Sequence, residues 1–331
     1  MTNPENTPTI TNTTTEGKGL TEYEAKIYDR SIRLWGVDAQ AKLRQSKVLF
    51  IGINGLMSEI IKNVVLAGVD SITLVDDHII TSADLSAHLF ITEDSVGKVI
   101  STESVFAIGE LNPLVTIDVY DKEIETMDDQ FIKNYTIVVM SDKNLNNVSK
   151  INSLCRKNNV SFMFSHSFGL KALFFSDLNE FKYFIKKPTE PPTTETHTSI
   201  FKSFKESMGY DWSKTNNRTP LPFFALSTLY QFEEKHNRVP DNISDSDLFE
   251  LKSIVNSSIE KFNLKNVEPN KYFDETKDLL NKINVEISPV CAIIGGIVGA
   301  EIIKVITQNM QVLNNFFFYD GIKGTGLVEQ F

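Results

Sequence analysis

Apolar residues in the first half of this chain alternate between short continuous runs and helical spacing. The run Lys47–Ile51 is rich in β-branched and aromatic residues, and apolar positions recur every three or four residues after Gly55. This order predicts a strand, a tight turn and a helix. Further strands and helices alternate up to about Phe164, which predicts an α/β fold with a doubly wound, mostly parallel sheet.

The pattern changes in the second half of the chain. Lys171–Ser176 and Phe181–Ile185 predict antiparallel strands, and the Pro-, Thr- and Glu-rich segment Lys187–Ser199 predicts a linker. Residues 201–280 predict helices only, and the chain returns to the sheet domain near Ser288. The predicted organisation is a disordered tail (1–20), the first part of an α/β domain (21–187), a linker with a helical insertion (188–284) and a return to the α/β domain (285–331).

The first strand–turn–helix unit resembles a Rossmann-like nucleotide-binding turn with altered residues. Gly52 and Gly55 are present, but Asn54 and Met57 stand where the dinucleotide fingerprint has its second and third glycines. Asp76 closes the second predicted strand, where such folds bind a ribose hydroxyl. A turn-capping role explains Asp76 equally well. The sequence therefore predicts the fold more strongly than it predicts phosphate binding.

The amino-acid composition and net charge limit the kinds of molecule that this chain is expected to bind. The chain has 331 residues and a formal net charge of −10, which argues against nonspecific binding to nucleic acid or to an anionic membrane. The longest apolar run, residues 290–300, is too short to span a bilayer, and no secretory signal is apparent. Two cysteines and five scattered histidines predict neither a disulfide framework nor a metal site. We expect a soluble intracellular protein with protein and small-molecule partners.

Several motifs occur together in one order over most of the chain. They are YDRSIRLWG (28–36), the glycine turn, SVGK (95–98), SPVCAIIGGIVGAEIIK (288–304) and FFFYDG (316–321). Together they resemble the small-subunit family of heterodimeric SUMO-activating enzymes, which is related to the bacterial ThiF and MoeB adenylating proteins. The small subunits of neddylation-activating enzymes have a similar start but a large insertion, so the length of this chain favours the SUMO type.

The resemblance implies a division of labour between two subunits. A large catalytic subunit would bind ATP and Mg²⁺, adenylate the C-terminus of SUMO and carry the thioester cysteine, while this chain would complete the heterodimer. Sumoylation takes place largely in the nucleus, so the resemblance also implies a nuclear location. Cys155 and Cys291 lie in predicted core helices, and we expect neither to carry the modifier.

The residues of this chain argue against a working nucleotide site of its own. Active members of the family follow the ribose aspartate with an Asn-x-Asn-Arg-Gln run, and the corresponding positions here hold Asp84, Ser86, Ala87 and His88. A family lysine falls at Ile100, and an aspartate used on Mg²⁺ falls at about Lys143, beside Asp142. Without these cations we expect Gly52, Gly55 and Asp76 to be the remains of a nucleotide site.

Arg30 is the candidate catalytic residue. In the family, the first arginine of the N-terminal segment reaches across the dimer to the ATP phosphates in the partner's site. Spacing alone also allows a surface salt bridge or a packing role for Arg30, and Arg33 is a weaker candidate that could be structural. Two other functions stay open at this point: a self-sufficient adenylating enzyme for a ubiquitin-like protein, and a nicotinamide-dependent oxidoreductase.

Overall fold

The computed structural model describes residues 20–187, 193–215, 218–241, 244–264 and 268–331. All but the last residue of the predicted tail (1–20), and the first five residues of the predicted linker and insertion, lie outside the described residues. The helices are α1 (Glu22–Ile27), α2 (Asp29–Trp35), α3 (Val37–Leu43), α4 (Gly55–Ala67), α5 (Ile100–Leu111), α6 (Asp129–Ile132), α7 (Leu145–Lys157), α8 (Phe204–Met208), α9 (Leu221–His236), α10 (Asp245–Lys261), α11 (Pro269–Lys282) and α12 (Ser288–Thr307). The strands are β1 (Lys47–Ile51), β2 (Ser71–Val75), β3 (Thr116–Val119), β4 (Ile137–Met140), β5 (Ser161–Phe168), β6 (Lys171–Asp177), β7 (Glu180–Lys187), β8 (Thr193–Ile200), β9 (Phe316–Asp320) and β10 (Thr325–Glu329).

Eight of these strands form one sheet in the order β10-β9-β6-β5-β4-β1-β2-β3. The five strands from β3 to β5 pair in parallel, and β6, β9 and β10 extend the sheet with antiparallel pairs. The strand order reverses at β1, which lies between β2 and β4. The predicted α/β fold with a mostly parallel, Rossmann-like sheet is confirmed.

Helices cover both faces of the sheet, which explains why β1 and β4 are continuous apolar runs rather than alternating ones. On one face, α4, α5 and α12 pack on the sheet through residues such as Ile60, Val64 and Ile294. On the other face, α7, α9 and the C-terminal Phe331 form a second apolar cluster with strands β4, β5 and β9. The strands between the two clusters are therefore shielded from water on both sides.

The segment predicted as a linker contains a strand. Thr193–Ile200 pairs with Glu180–Lys187 as a separate antiparallel hairpin, β7-β8, so the linker prediction is wrong for Lys187 and for residues 193–199. Every second residue of β8 is exposed, and its sequence, TTETHTSI, contains little apolar side chain. Pairing with the more apolar β7 stabilises this strand. The prediction that residues 201–280 contain helices and no strands holds for the described part of that range.

Helix α12 is long and apolar enough, by length and composition, to cross a membrane, but 61% of its most apolar window is buried inside the fold. A Cβ atom at Gly295 would lie 2.4 Å from Cβ of Glu59, and one at Gly299 would lie 2.7 Å from Cβ of Asn63. These two glycines therefore allow α12 to approach α4 closely. The small residues of α12 thus serve helix packing at these two positions.

Candidate functional site

The glycine turn lies at the carboxyl edge of the parallel strands. Gly52 follows β1 directly, Asp76 follows β2 and Ser141 follows β4, so these residues meet at the point where the strand order reverses. Gly52 has a φ of +80°, and a Cβ atom there would lie 2.0 Å from the carbonyl oxygen of Ser141. Only glycine fits this position. The sequence pattern thus predicted the place of the turn correctly.

Asp76 is bonded to the turn itself. Its Oδ2 atom accepts a hydrogen bond of 2.6 Å from the backbone N–H of Ile53, and its Oδ1 atom accepts one of 2.9 Å from the N–H of His78. Burial raises the pKa of the Asp76 carboxyl, although these N–H donors oppose the shift. The side chain therefore fixes the glycine turn against the end of β2.

Ala87 and His88 fill the space beside the turn where family members carry an arginine and a glutamine. A Cβ atom at Gly55 would lie 2.7 Å from Cβ of Ala87. His88 is buried; its Nε2 atom lies 3.1 Å from the carbonyl oxygen of Ile53, and its Nδ1 atom accepts the N–H of Phe90 at 3.1 Å. Burial lowers the pKa of His88 to about 4, so this imidazole is neutral at pH 7.

Helix α4 begins at the turn with two internal caps. The Asn54 side chain accepts the N–H of Met57 at 2.9 Å and donates to Oγ of Ser141 at 2.8 Å. The second cap is the Glu286 carboxylate, which accepts the N–H of Gly55 at 2.7 Å and the N–H of Leu56 at 2.9 Å. Sequence reasoning missed Glu286, because it lies 231 residues after Gly55 and no local pattern marks it.

Asp142, the residue that could replace the family's Mg²⁺-binding aspartate, also has internal partners. It accepts the N–H of Asn144 at 2.9 Å and the side-chain amide of Asn147 at 3.0 Å. Burial raises the pKa of the Asp142 carboxyl, and the nearby charge of Asp76 raises it further. Lys143, at the aligned family position, is exposed. The carboxylates of Asp76, Asp142 and Glu286 thus lie around the turn, and the cation near Asp142 is the exposed Lys143.

These residues do not fit a nucleoside triphosphate. The family's phosphate-binding arginine is replaced by buried Ala87, and its lysine by Ile100, which is 2% exposed in a helix. The N–H groups that could hold a phosphate already have a carboxylate partner. No cluster suited to a metal ion, with three or more His, Cys, Asp or Glu side chains, occurs among the described residues.

Both cysteines are buried thiols. Burial raises the pKa of Cys291 to about 12, and it also raises the pKa of Cys155 well above its usual value. A thioester-forming cysteine needs an accessible thiolate near neutral pH, and neither position supplies one.

Arg30 lies apart from the turn, on a short exposed helix. Helix α2 has no buried residue, and Arg30 itself is exposed. In the described part of the chain, Arg30 makes neither a hydrogen bond nor an ion pair, whereas Arg33 pairs with Asp29 at 3.0 Å. Exposed apolar side chains follow on the same segment, with Leu34 75% and Val37 58% exposed. The guanidinium of Arg30 is therefore free to meet another molecule.

The N-terminal helices are nevertheless anchored to the domain. Tyr28, at the junction of α1 and α2, is 3% exposed; its hydroxyl accepts the side-chain amide of Asn112 at 2.9 Å, and its ring covers Gly68. Arg44, directly after α3, pairs with Glu24 of α1 at 3.0 Å. Two residues before Arg30, the backbone is thus held by the core. Sequence reasoning did not assign this anchoring role to Tyr28.

Comparison with known proteins agrees with this geometry. The ThiF family model matches residues 28–331. The chain is 90% identical to SUMO-activating enzyme subunit 1 of Dictyostelium discoideum over 331 residues, covering 100% of each chain. It is 35% identical to SUMO-activating enzyme subunit 1B-1 of Arabidopsis thaliana (95% of this chain, 98% of the relative), and 32% identical to subunit 1 of Homo sapiens (95% and 96%).

A similar solved structure is that of PaaA, with a TM-score of 0.59 at 14% identity, covering 97% of this chain and 77% of the other. At this identity the likeness concerns the fold alone. The matches over the full length are to proteins named as SUMO-activating enzyme subunits. The chain therefore belongs to the ThiF family and, within it, to the family of SUMO-activating enzyme subunit 1 proteins.

Proposed function

We propose that this chain is the small subunit of a heterodimeric SUMO-activating enzyme, and that it acts mainly by supplying Arg30 to the partner's nucleotide site. The observation that carries the proposal is a contrast within one chain. The glycine turn is occupied by side chains of the same chain, while Arg30, which has no polar partner among the described residues, is exposed on an anchored helix. The names of the full-length relatives indicate that the modifier is SUMO.

The chemistry explains why an arginine would be supplied in this way. Adenylation transfers an AMP group from ATP to the C-terminal carboxylate of SUMO, so negative charge builds up on the phosphates in the transition state. Preorganised cations that are kept from water stabilise such charge strongly. Arg30 has a fixed backbone and no internal carboxylate partner among the described residues, so little would have to be broken before it could pair with a phosphate.

In this proposal ATP and Mg²⁺ are bound mainly by the large subunit, which also carries the thioester cysteine. The two buried thiols of this chain and the carboxylates around its turn support that assignment. Leu34 and Val37 are exposed apolar side chains near Arg30, and they are suited to burial against that subunit. A nuclear location follows from the site of sumoylation.

The alternatives are less well supported. A self-sufficient adenylating enzyme, or a nicotinamide-dependent oxidoreductase, would need the glycine turn to accept phosphates, and Glu286 and Ala87 stand in the way. A neddylation subunit is disfavoured by the names of the relatives, which match along almost the whole length of the chain.

The test is ATP–pyrophosphate exchange dependent on SUMO, measured with this chain alone, with a large subunit alone and with the two together. We expect activity in the mixture and none from this chain alone. Arg30→Ala should lower exchange by about a hundredfold or more, because a cation is lost from the transition state. Heterodimer formation, measured by size-exclusion chromatography, should be unchanged.

Arg33→Ala is the matched control, since Arg33 lies one helical turn away and pairs within this chain. We expect it to change exchange by only a few fold. Equal losses in the two variants, or full exchange in Arg30→Ala, would contradict the assignment of Arg30. Exchange by this chain alone would contradict the subunit proposal itself.

A further inference from the structure

The N-terminus of helix α4 has the geometry that favours a negatively charged group. Its first N–H groups, those of Gly55 and Leu56, have no partner within the helix, and the helix dipole adds a partial positive charge there. In nucleotide-binding folds a phosphate takes this position, directly after the first strand. The chemistry of the position therefore calls for a negatively charged oxygen group.

Glu286 supplies that group from within the chain. Its Oε2 atom lies 2.7 Å from the N of Gly55, and its Oε1 atom lies 2.9 Å from the N of Leu56 and 3.3 Å from Oγ of Ser167. The carboxylate also occupies the open side of the glycine, because a Cβ atom at Gly55 would lie 2.8 Å from its Oε2. A phosphate oxygen could not approach these N–H groups without displacing Glu286.

A related contact occurs at the neighbouring helix. Helix α7 follows β4, the strand beside β1, and the Asn144 side chain caps its N-terminus. The N–H of Asn146, which Asn144 also accepts, lies 3.1 Å from Oε2 of the Glu233 carboxyl of α9. Glu233 is 1% exposed, and the helix that carries it, α9, belongs to the second apolar cluster described above. Both helix N-termini beside the reversal of strand order thus meet a glutamate carboxyl group from the later part of the chain.

The charged side chains around the turn also disfavour a bound phosphate. Asp76 and Asp142 lie beside the turn, and Asp84 is close enough to raise the pKa of the Glu286 carboxyl further, beyond the larger effect of burial. Asp76, Asp142 and Glu286 accept hydrogen bonds from neutral N–H and O–H groups. A triphosphate entering this space would face several carboxylates in a poorly solvated site.

We propose that the Glu286 carboxylate is a built-in substitute for a phosphate, which completes the fold at the glycine turn and closes this chain's own pocket to nucleotides. Loss of the family's cations would merely weaken nucleotide binding. Glu286 has a stronger effect, because it occupies the N–H donors that would bind the phosphate. The inference concerns the isolated chain and does not depend on the role of Arg30.

The test uses the full chain, labelled with ¹⁵N and deuterated, and inorganic phosphate as the probe at constant ionic strength. In the wild type, and in Glu286→Gln, which fills the same volume, the amide signals of Gly55 and Leu56 should show no saturable shift. In Glu286→Ala the N–H groups are open, and we expect saturable shifts with a dissociation constant at least about tenfold below the highest phosphate concentration at which the wild type shows no saturation. The melting temperature of Glu286→Ala should rise with phosphate in parallel.

A Glu286→Ser variant is measured in the same way, so that the test stands if the alanine variant does not fold. Saturable binding of phosphate or ATP at Gly55 and Leu56 in the wild type would overturn the proposal. So would a folded alanine or serine variant whose two amides do not respond to phosphate. Because no SUMO or large subunit is present, neither result bears on the exchange activity that tests the proposed function.

Discussion

The glycine turn and the N-terminal helices differ in where their hydrogen-bonding and charged groups find partners. At the turn, the N–H groups and the carboxylates of Asp76, Asp142 and Glu286 are bonded to other groups of the same chain. On α2, the guanidinium of Arg30 makes neither a hydrogen bond nor an ion pair in the described part of the chain. The comparison teaches that a nucleotide-binding fold can retain its framework and bond the groups of its turn internally, while it leaves an arginine exposed at its surface.

The largest expected effect on stability comes from a substitution in the glycine turn, at Gly52. Gly52→Ala should lower the free energy of unfolding by more than about 3 kcal/mol, because it combines a positive φ with a Cβ atom 2.0 Å from the Ser141 carbonyl oxygen. Denaturant unfolding measures the change. Gly97→Ala is the matched control: its φ is +88°, but no atom lies within 4 Å of the added Cβ, so we expect a loss of only about 1 kcal/mol. Equal losses would mean that the turn tolerates a side chain.

A smaller, pH-dependent effect should come from Glu233. Burial raises the pKa of this carboxyl from 4.5 to about 8, so between these values the folded state holds a proton that the unfolded state has lost. The contribution of Glu233 to stability therefore falls as pH rises, by about 1 kcal/mol per pH unit. Glu233→Gln should gain stability relative to the wild type between pH 6 and 8, as measured by urea unfolding.

Glu234→Gln is the control for this pH dependence, since Glu234 is exposed and pairs with Lys205 at 3.1 Å. Its stability relative to the wild type should stay constant over the same pH range. A constant difference for Glu233→Gln as well would show that the Glu233 carboxyl is already ionised at pH 6 in the folded state.

The smallest effect is expected on the exposed helix. Arg30→Ala should change the free energy of unfolding of the isolated chain by less than about 0.5 kcal/mol, because no described contact is lost. Arg33→Ala should cost about 0.3 kcal/mol through its exposed pair with Asp29. Thermal unfolding of the two variants measures this. A large loss in Arg30→Ala would mean that Arg30 stabilises the fold, and would weaken its assignment to a partner site.

Local patterns predicted the central elements well. The run Lys47–Ile51, the two glycines and the helical spacing after Gly55 gave β1, the turn and α4, because each is encoded by neighbouring residues. The strand β8 was missed because TTETHTSI is polar and Thr-rich, and because its stability comes from pairing with β7. A strand without an apolar face leaves little signal in its own sequence.

The candidate site was predictable only in part. The missing cations at Ala87 and Ile100 could be read by alignment to a family pattern, and the role of Arg30 rests on the same resemblance. The capping carboxylates could not be found in this way, since Glu233 and Glu286 lie 87 and 231 residues from the backbone groups that they meet. Periodicity reports which face of an element is buried, but not which distant side chain reaches its end.

The sequence by itself determined the order of strands and helices, the acidic balance of the chain and the lack of phosphate-binding cations at the expected positions. These are properties of single residues and of their near neighbours. Only the tertiary structure decided that the N–H groups at the start of α4 are satisfied by Glu286, and that Arg30 is left without an internal partner among the described residues. The physical reason is that buried N–H groups must find an acceptor, and packing of the whole chain selects which one reaches them.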